Sequence, residues 1–131
     1  MSEHANAALL RRLFDAFARR DGEVVAELLA DDVVWKVPGD APVAGVHRGR
    51  RPVVRFLGKT TRLTEGTYRS ELSYALGGGD RAVAVYRASG RRPDGRVLDI
   101  DQILLCRVED GRLVEVAAVP TDQAAFEAFW A

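Results

Sequence analysis

Residues 96–119 read RVLDIDQILLCRVEDGRLVEVAAV, and the alternation in this stretch decides the fold. Leu98, Ile100, Gln102, Leu104, Cys106 and Val108 fall on one side of an extended chain, and Val97, Asp99, Asp101, Ile103, Leu105 and Arg107 on the other, because successive strand side chains point to opposite faces. The first face is apolar except for Gln102. Glu109-Asp110-Gly111 supplies a turn, the returning strand runs to Val119, and Pro120-Thr121 leads into a short aromatic helix. This hairpin is the expected centre of a sheet.

Upstream, Thr67 to Leu76 reads as a strand that places Tyr68, Leu72, Tyr74 and Leu76 on a common face. Gly77-Gly78-Gly79-Asp80 then turns the chain into a strand from Arg81 to Ser89. In that strand Tyr86 shares a face with Ala82, Ala84 and Ala88, whose small side chains leave room around its ring; its direction stays open. Pro93-Asp94-Gly95 makes the next turn.

Earlier still, the pattern is helical. Leu10, Leu13, Phe14 and Phe17 recur at helical spacing between Ala5 and Arg20, and Asp21 can cap a second helix from Gly22 to Leu29. Asp32 to Val37 alternates as a strand, with Val33, Trp35 and Val37 on one side, until Pro38-Gly39 ends it. A loop carries His47, and Pro52 suits the first turn of a third helix that continues towards Leu63. After the hairpins, Thr121 can cap a last helix from Asp122 to Trp130. Three helices before most of the strands predict an α+β fold, with helices on one face of a curved antiparallel sheet and a pocket between the concave face and the first and third helices.

The totals set bounds. A chain of 131 residues predicts one domain over residues 1–131, able to bury roughly two thirds of its unfolded surface without a metal or disulfide. Nineteen basic and nineteen acidic residues balance to zero net charge, so no electrostatic footprint for nucleic acid or anionic lipid is expected. Arg48, Arg50, Arg51 and Arg55 read as a solvated helix start. The single cysteine, Cys106, sits in an apolar strand and reads as a buried, inert thiol in a reducing compartment. No apolar run reaches the ~18 residues of a membrane span, and no signal peptide is legible, so no membrane association is expected and the cytoplasm is the default location.

The segments LLADDVVWKVPG, GVHRGRRPVV, RVEDGRLVEV and PTDQAAFEAFW, in this order of elements, resemble the nuclear transport factor 2-like superfamily, nearest to its SnoaL-like and ketosteroid-isomerase-related members. The resemblance covers essentially the whole chain. It implies a cone-shaped α+β barrel with an apolar pocket for a small hydrophobic molecule, frequent homodimers, and members that range from isomerases, polyketide cyclases and dehydratases to noncatalytic binding domains. It also implies where isomerase machinery would stand. The family's tyrosine falls at Leu13, its carboxylate base at Val37 and its protonated acid at Leu104, and all three are apolar here. That constellation is therefore disfavoured. The nearby Asp99 and Asp101 lie on the opposite strand parity and read as solvated or interfacial.

Other residues could carry chemistry. His47 carries an imidazole that could move a proton, or it could be a surface histidine without a partner. Gln102 could orient a ligand oxygen on its apolar face, or bond a neighbouring helix. Asp122 matches a carboxylate that acts as a base in some SnoaL-like cyclases, but the start of a helix also favours a negative charge. Trp35 could stack on a planar ligand or simply fill the core. Tyr68, Tyr74, Tyr86 and Leu104 complete the expected ligand-binding set, and Ala117, Ala118 and Val119 would enlarge the cavity if they faced inward. No dinucleotide loop, phosphate loop or metal-ligand cluster is legible, so no cofactor is expected. The resulting expectation is acid–base isomerisation, cyclisation or dehydration of a hydrophobic carbonyl or polyketide-like compound. The alternative is noncatalytic lipophilic-ligand binding or a dimeric accessory role.

Overall fold

The computed structural model describes residues 3–131. Helix α1 (Ala5–Arg19) is followed by α2 (Gly22–Leu28), β1 (Leu29–Val37), β2 (Gly45–Arg48), α3 (Arg50–Leu63), β3 (Arg69–Gly78), β4 (Arg81–Arg91), β5 (Val97–Glu109), β6 (Arg112–Pro120) and α4 (Gln123–Trp130). The six strands form one curved sheet in the order β2-β1-β6-β5-β4-β3, and β2 and β3 remain unjoined edges. The α+β reading holds, with one correction: the sheet is mixed, because β1 and β6 run parallel while the other four pairings are antiparallel. A parallel pair needs a long crossover connection. The helical segment and the whole meander between β1 and β6 supply it.

Local chemistry explains the boundaries. His4 stands at the start of α1 and caps it, its Nδ1 accepting from the Asn6 amide at 3.1 Å. Asp21 caps α2 by accepting from Val24 N at 3.2 Å, as its position suggests. At the last helix the cap is Asp122, accepting from Ala125 N at 3.0 Å, and not Thr121, whose hydroxyl donates to the Asp101 carbonyl at 2.7 Å.

The arginine-rich entry to α3 is more than a solvated turn. Arg50 reaches back to the Leu29 carbonyl through Nε at 3.2 Å and Nη2 at 2.9 Å, and pairs with Asp31 at 2.8 Å. The Gly49 amide donates to Val33 O at 2.7 Å, with the glycine at φ 94°. Residues 45–48, expected as loop, pair with β1 as an edge strand.

The core lies between the concave sheet face and α1, α3 and α4. The inward side of β5 follows its alternation: Leu98, Gln102, Leu104, Cys106 and Val108 are buried, whereas Asp99 and Asp101 are exposed and pair with Arg87 at 2.7 and 3.1 Å. In β3 the expected alternation fails. The register shifts between Leu72 and Tyr74, so Leu72 opposes Tyr86 and Tyr74 opposes Val85. The extra residue reverses the parity beyond it. Leu72 is half-buried inside, while Tyr74 and Leu76 are exposed on the outer face.

Candidate functional site

A cavity of about 50 Å³ lies under the concave face, walled by aromatic and apolar side chains from every layer: Phe17 of α1, Trp35 and Val37 of β1, Phe56 and Leu57 of α3, Leu104 of β5, Ala118 of β6, and Phe126 and Trp130 of α4. Its polar groups are few. Thr60, Tyr68, Ser70, Tyr86 and Gln102 supply hydroxyls and one amide, and among the described residues no charged side chain lines it. Ala118 faces inward as the small-residue reading allowed, but Val119 is exposed on the other face, and the space is much smaller than a ring-sized pocket.

The centre of this site is the pair Gln102–Tyr86, which the β4–β5 register sets directly opposite one another on the inner face. Gln102 Nε2 donates to the Tyr86 hydroxyl at 2.8 Å, and both residues are buried. Gln102 Oε1 is buried and has no hydrogen-bond partner among the described residues. Turned the other way, the amide would accept from Tyr86 and leave its NH₂ free, so one end is unpaired in either orientation. An unpaired buried polar group costs about 1–3 kcal/mol, which makes this a place where a ligand atom is stabilising. Burial and then the nearby Tyr68 push the Tyr86 phenol well above its ordinary range, against a partial lowering by the Gln102 hydrogen bond and with a still smaller rise from Cys106. The phenol stays protonated at neutral pH and acts as a donor, not as a base.

Tyr68 is the second phenol. It stands just before β3, with its amide donating to Thr64 Oγ1 at 3.2 Å and its ring edge-on to Trp130 at 5.5 Å. Burial raises its pKa too, partly offset by a hydrogen bond with Ser70. The close approach of Tyr68 to the sheet needs Gly90, where an added Cβ would lie 3.3 Å from Tyr68 Cα.

The structure brings together Trp35, Tyr68, Tyr86, Gln102 and Leu104 from the expected set. It separates the others. Tyr74 points away because of the β3 irregularity. Asp122 is exposed and its carboxylate is engaged in the cap of α4. His47 belongs to β2, opposite Trp35, and its ring stacks on Phe56 at 4.2 Å and 17°, with Nε2 3.2 Å from Val43 O. It therefore stands behind the wall that Phe56 forms, not in the cavity. Of the three positions where isomerase machinery would stand, Val37 and Leu104 line the cavity and Leu13 is fully buried.

Sequence reasoning missed Phe56, Thr60 and Ser70 as lining groups. Ser70 could have been found as the inward neighbour of Leu72 in strand alternation, whereas Thr60 had no signal beyond its helical phase with Phe56 and Leu57. Among the described residues no three or more His, Cys, Asp or Glu side chains converge as metal ligands, and no helix is long and apolar enough to cross a membrane.

The family model of the SnoaL-like domain matches residues 10–116. An uncharacterized protein of Mycobacterium tuberculosis (strain ATCC 25618 / H37Rv) is 39% identical over 132 aligned positions, covering 100% of both chains. The structure of Bal32a from a soil-derived mobile gene cassette superposes with a TM-score of 0.93 at 28% identity, covering 97% of each chain. An NTF2-like protein of Burkholderia xenovorans LB400 superposes with a TM-score of 0.83 at 23% identity, covering 100% of this chain and 99% of the other.

Proposed function

Since this chain belongs to the SnoaL-like domain family and carries the NTF2-like fold, we propose that it is a small-molecule protein whose inner cavity holds the oxygen of an uncharged hydrophobic carbonyl or hydroxyl compound. The observation that carries this reading is the free end of the Gln102 amide beside a phenol held protonated. A ligand hydroxyl can donate to Gln102 Oε1 and accept from Tyr86; a ligand carbonyl can accept from Tyr86 alone. An ionised head group is disfavoured, because no cation lines the cavity to offset its desolvation.

Lipophilic binding is the role this geometry supports best. Isomerisation, cyclisation or dehydration needs a proton acceptor as well as the Tyr86 donor, and the cavity wall offers neither carboxylate nor imidazole. One observation favours a catalytic reading: His47 lies a single aromatic layer away, stacked on Phe56. A shift of that ring would open His47 to the ligand. Once a substrate is found, unchanged turnover in His47→Gln removes that reading.

Titration with 1-hexanol and 2-hexanone, followed by the fluorescence of Trp35 and Trp130, tests the binding role. The double variant Gln102→Leu/Tyr86→Phe is expected to weaken 1-hexanol binding about tenfold or more, the loss of two hydrogen bonds of ~0.5–1.5 kcal/mol each, while n-hexane binding is unaffected. Equal losses for hexanol and hexane would sink the assignment of the pair as an oxygen site.

We also infer that the outer sheet face joins two copies of the chain. Two apolar rows cross it, Leu76-Val83-Leu105-Ala117 and Tyr74-Val85-Ile103-Val119, each member opposite the next in the register. Charges flank the rows, with Arg87, Asp99 and Asp101 on one side and Arg81, Arg107 and Glu115 on the other. An apolar centre with a polar rim is the composition of a protein interface.

A further inference from the structure

A second cavity of about 360 Å³ opens between the end of α1, the start of α2, the exposed side of α3 and the start of β3. Its wall is mainly apolar and includes Val25, Val54 and Gly58. Phe17, Leu57, Thr60, Tyr68 and Ser70 line this groove and the inner cavity alike. The two spaces thus share one partition. The inner compartment holds only a few heavy atoms and is lined by Gln102, whose amide keeps an unpaired end; the outer one has the size of a small-molecule pocket.

Resting on the inner-cavity reading above, we propose that the two compartments form a single site for an elongated neutral amphiphile, whose terminal hydroxyl or carbonyl sits between Gln102 and Tyr86 and whose alkyl chain lies in the outer groove. The division of size and polarity carries this. A fused ring system does not fit the 50 Å³ head compartment, and a short alcohol would leave the apolar groove in water. A chain passing the Phe17–Leu57–Tyr68 partition fills both. The rim charges of the groove, Arg20 and Arg69 against Asp21 and Glu71, balance, so the tail end requires no charge.

The test is a homologous series, 1-hexanol, 1-octanol, 1-decanol and 1-dodecanol, read by tryptophan fluorescence on the full chain. Affinity is expected to rise about threefold to fourfold per added methylene, the value of burying one such group, until the groove is full. Gly58→Phe blocks the outer groove from a helical position where an added Cβ meets only the flexible Arg62 guanidinium at 3.3 Å. It should abolish the rise in affinity from 1-hexanol to 1-dodecanol. Gly58→Ala, which adds a single methyl group, should retain the dependence and controls for the loss of glycine from the helix.

Affinity independent of length, with 1-hexanol still bound, overturns the two-compartment site and spares the inner-cavity reading. No binding at any length overturns both. Dodecanoate binding more tightly than 1-dodecanol overturns the neutral head group. A change in sedimentation of Gly58→Phe, with an unaltered alcohol series, would mean that a second copy covers the groove and would overturn the proposal.

Discussion

Cys106 shows how one side chain's chemistry follows from its face. It lies on the inward side of β5 opposite Ala82 and Val116, and burial pushes its thiol up to about 12. The thiolate is the reactive species. The native protein should therefore resist thiol-specific disulfide reagents from pH 7 to 9 and titrate one thiol only in denaturant; rapid stoichiometric labelling of the folded protein would contradict the placement. The inert role was legible from apolar alternation around residue 106. The unpaired end of Gln102 was not, because its partner Tyr86 lies sixteen residues away and only the strand register shows that they meet.

At the scale of elements, the turn after β1 depends on α4. Glu127 Oε1 accepts from the Asp40 amide at 3.1 Å and from Gln123 Nε2 at 3.0 Å, and Gly39 beside it has φ 98°. A Cβ at Gly39 would fall on the Glu127 carboxylate. Gly39→Ala is expected to destabilise by about 1–3 kcal/mol, chiefly because a side chain is strained at that φ, as read from the denaturant midpoint. Most of the loss should persist in a Glu127→Ala background; its disappearance there would assign the effect to the clash instead. Pro38-Gly39 was readable as the end of a strand, but its clamp from residue 127 was not. The other end of α4 is tied similarly, with Arg92 donating to the Phe129 carbonyl and Arg96 to those of Ala128 and Ala131, each at 2.9 Å. Guanidinium groups at a helix C-terminus satisfy carbonyls that the helix leaves open.

For the molecule as a whole, the two faces of one sheet divide the work. The concave face carries the cavity, and the convex face carries the two apolar rows across β3 to β6. If that face joins two copies, Leu105→Asp, a substitution at a site 47% exposed in the single chain, should convert the protein to monomers in sedimentation while leaving its circular dichroism unchanged. A wild-type chain that sediments as a monomer at high concentration would end this reading. The space under the concave face is small in spite of the inward Ala118, because Phe17, Phe56, Tyr68, Phe126 and Trp130 converge from separate elements and fill it.

The sequence by itself determined the helices, most strands, the inward face of β5 and the family. Those features repeat with a local period, 3.6 residues in a helix and two in a strand, and the chain records them directly. Only the tertiary structure decided that β1 and β6 pair in parallel, that one extra residue in β3 turns Tyr74 outward, that His47 stands behind Phe56, and that Gln102 keeps an unpaired end beside Tyr86. Each depends on which distant strand or ring becomes a neighbour. Neighbours of that kind are set by packing the whole chain at once, and no local period carries them.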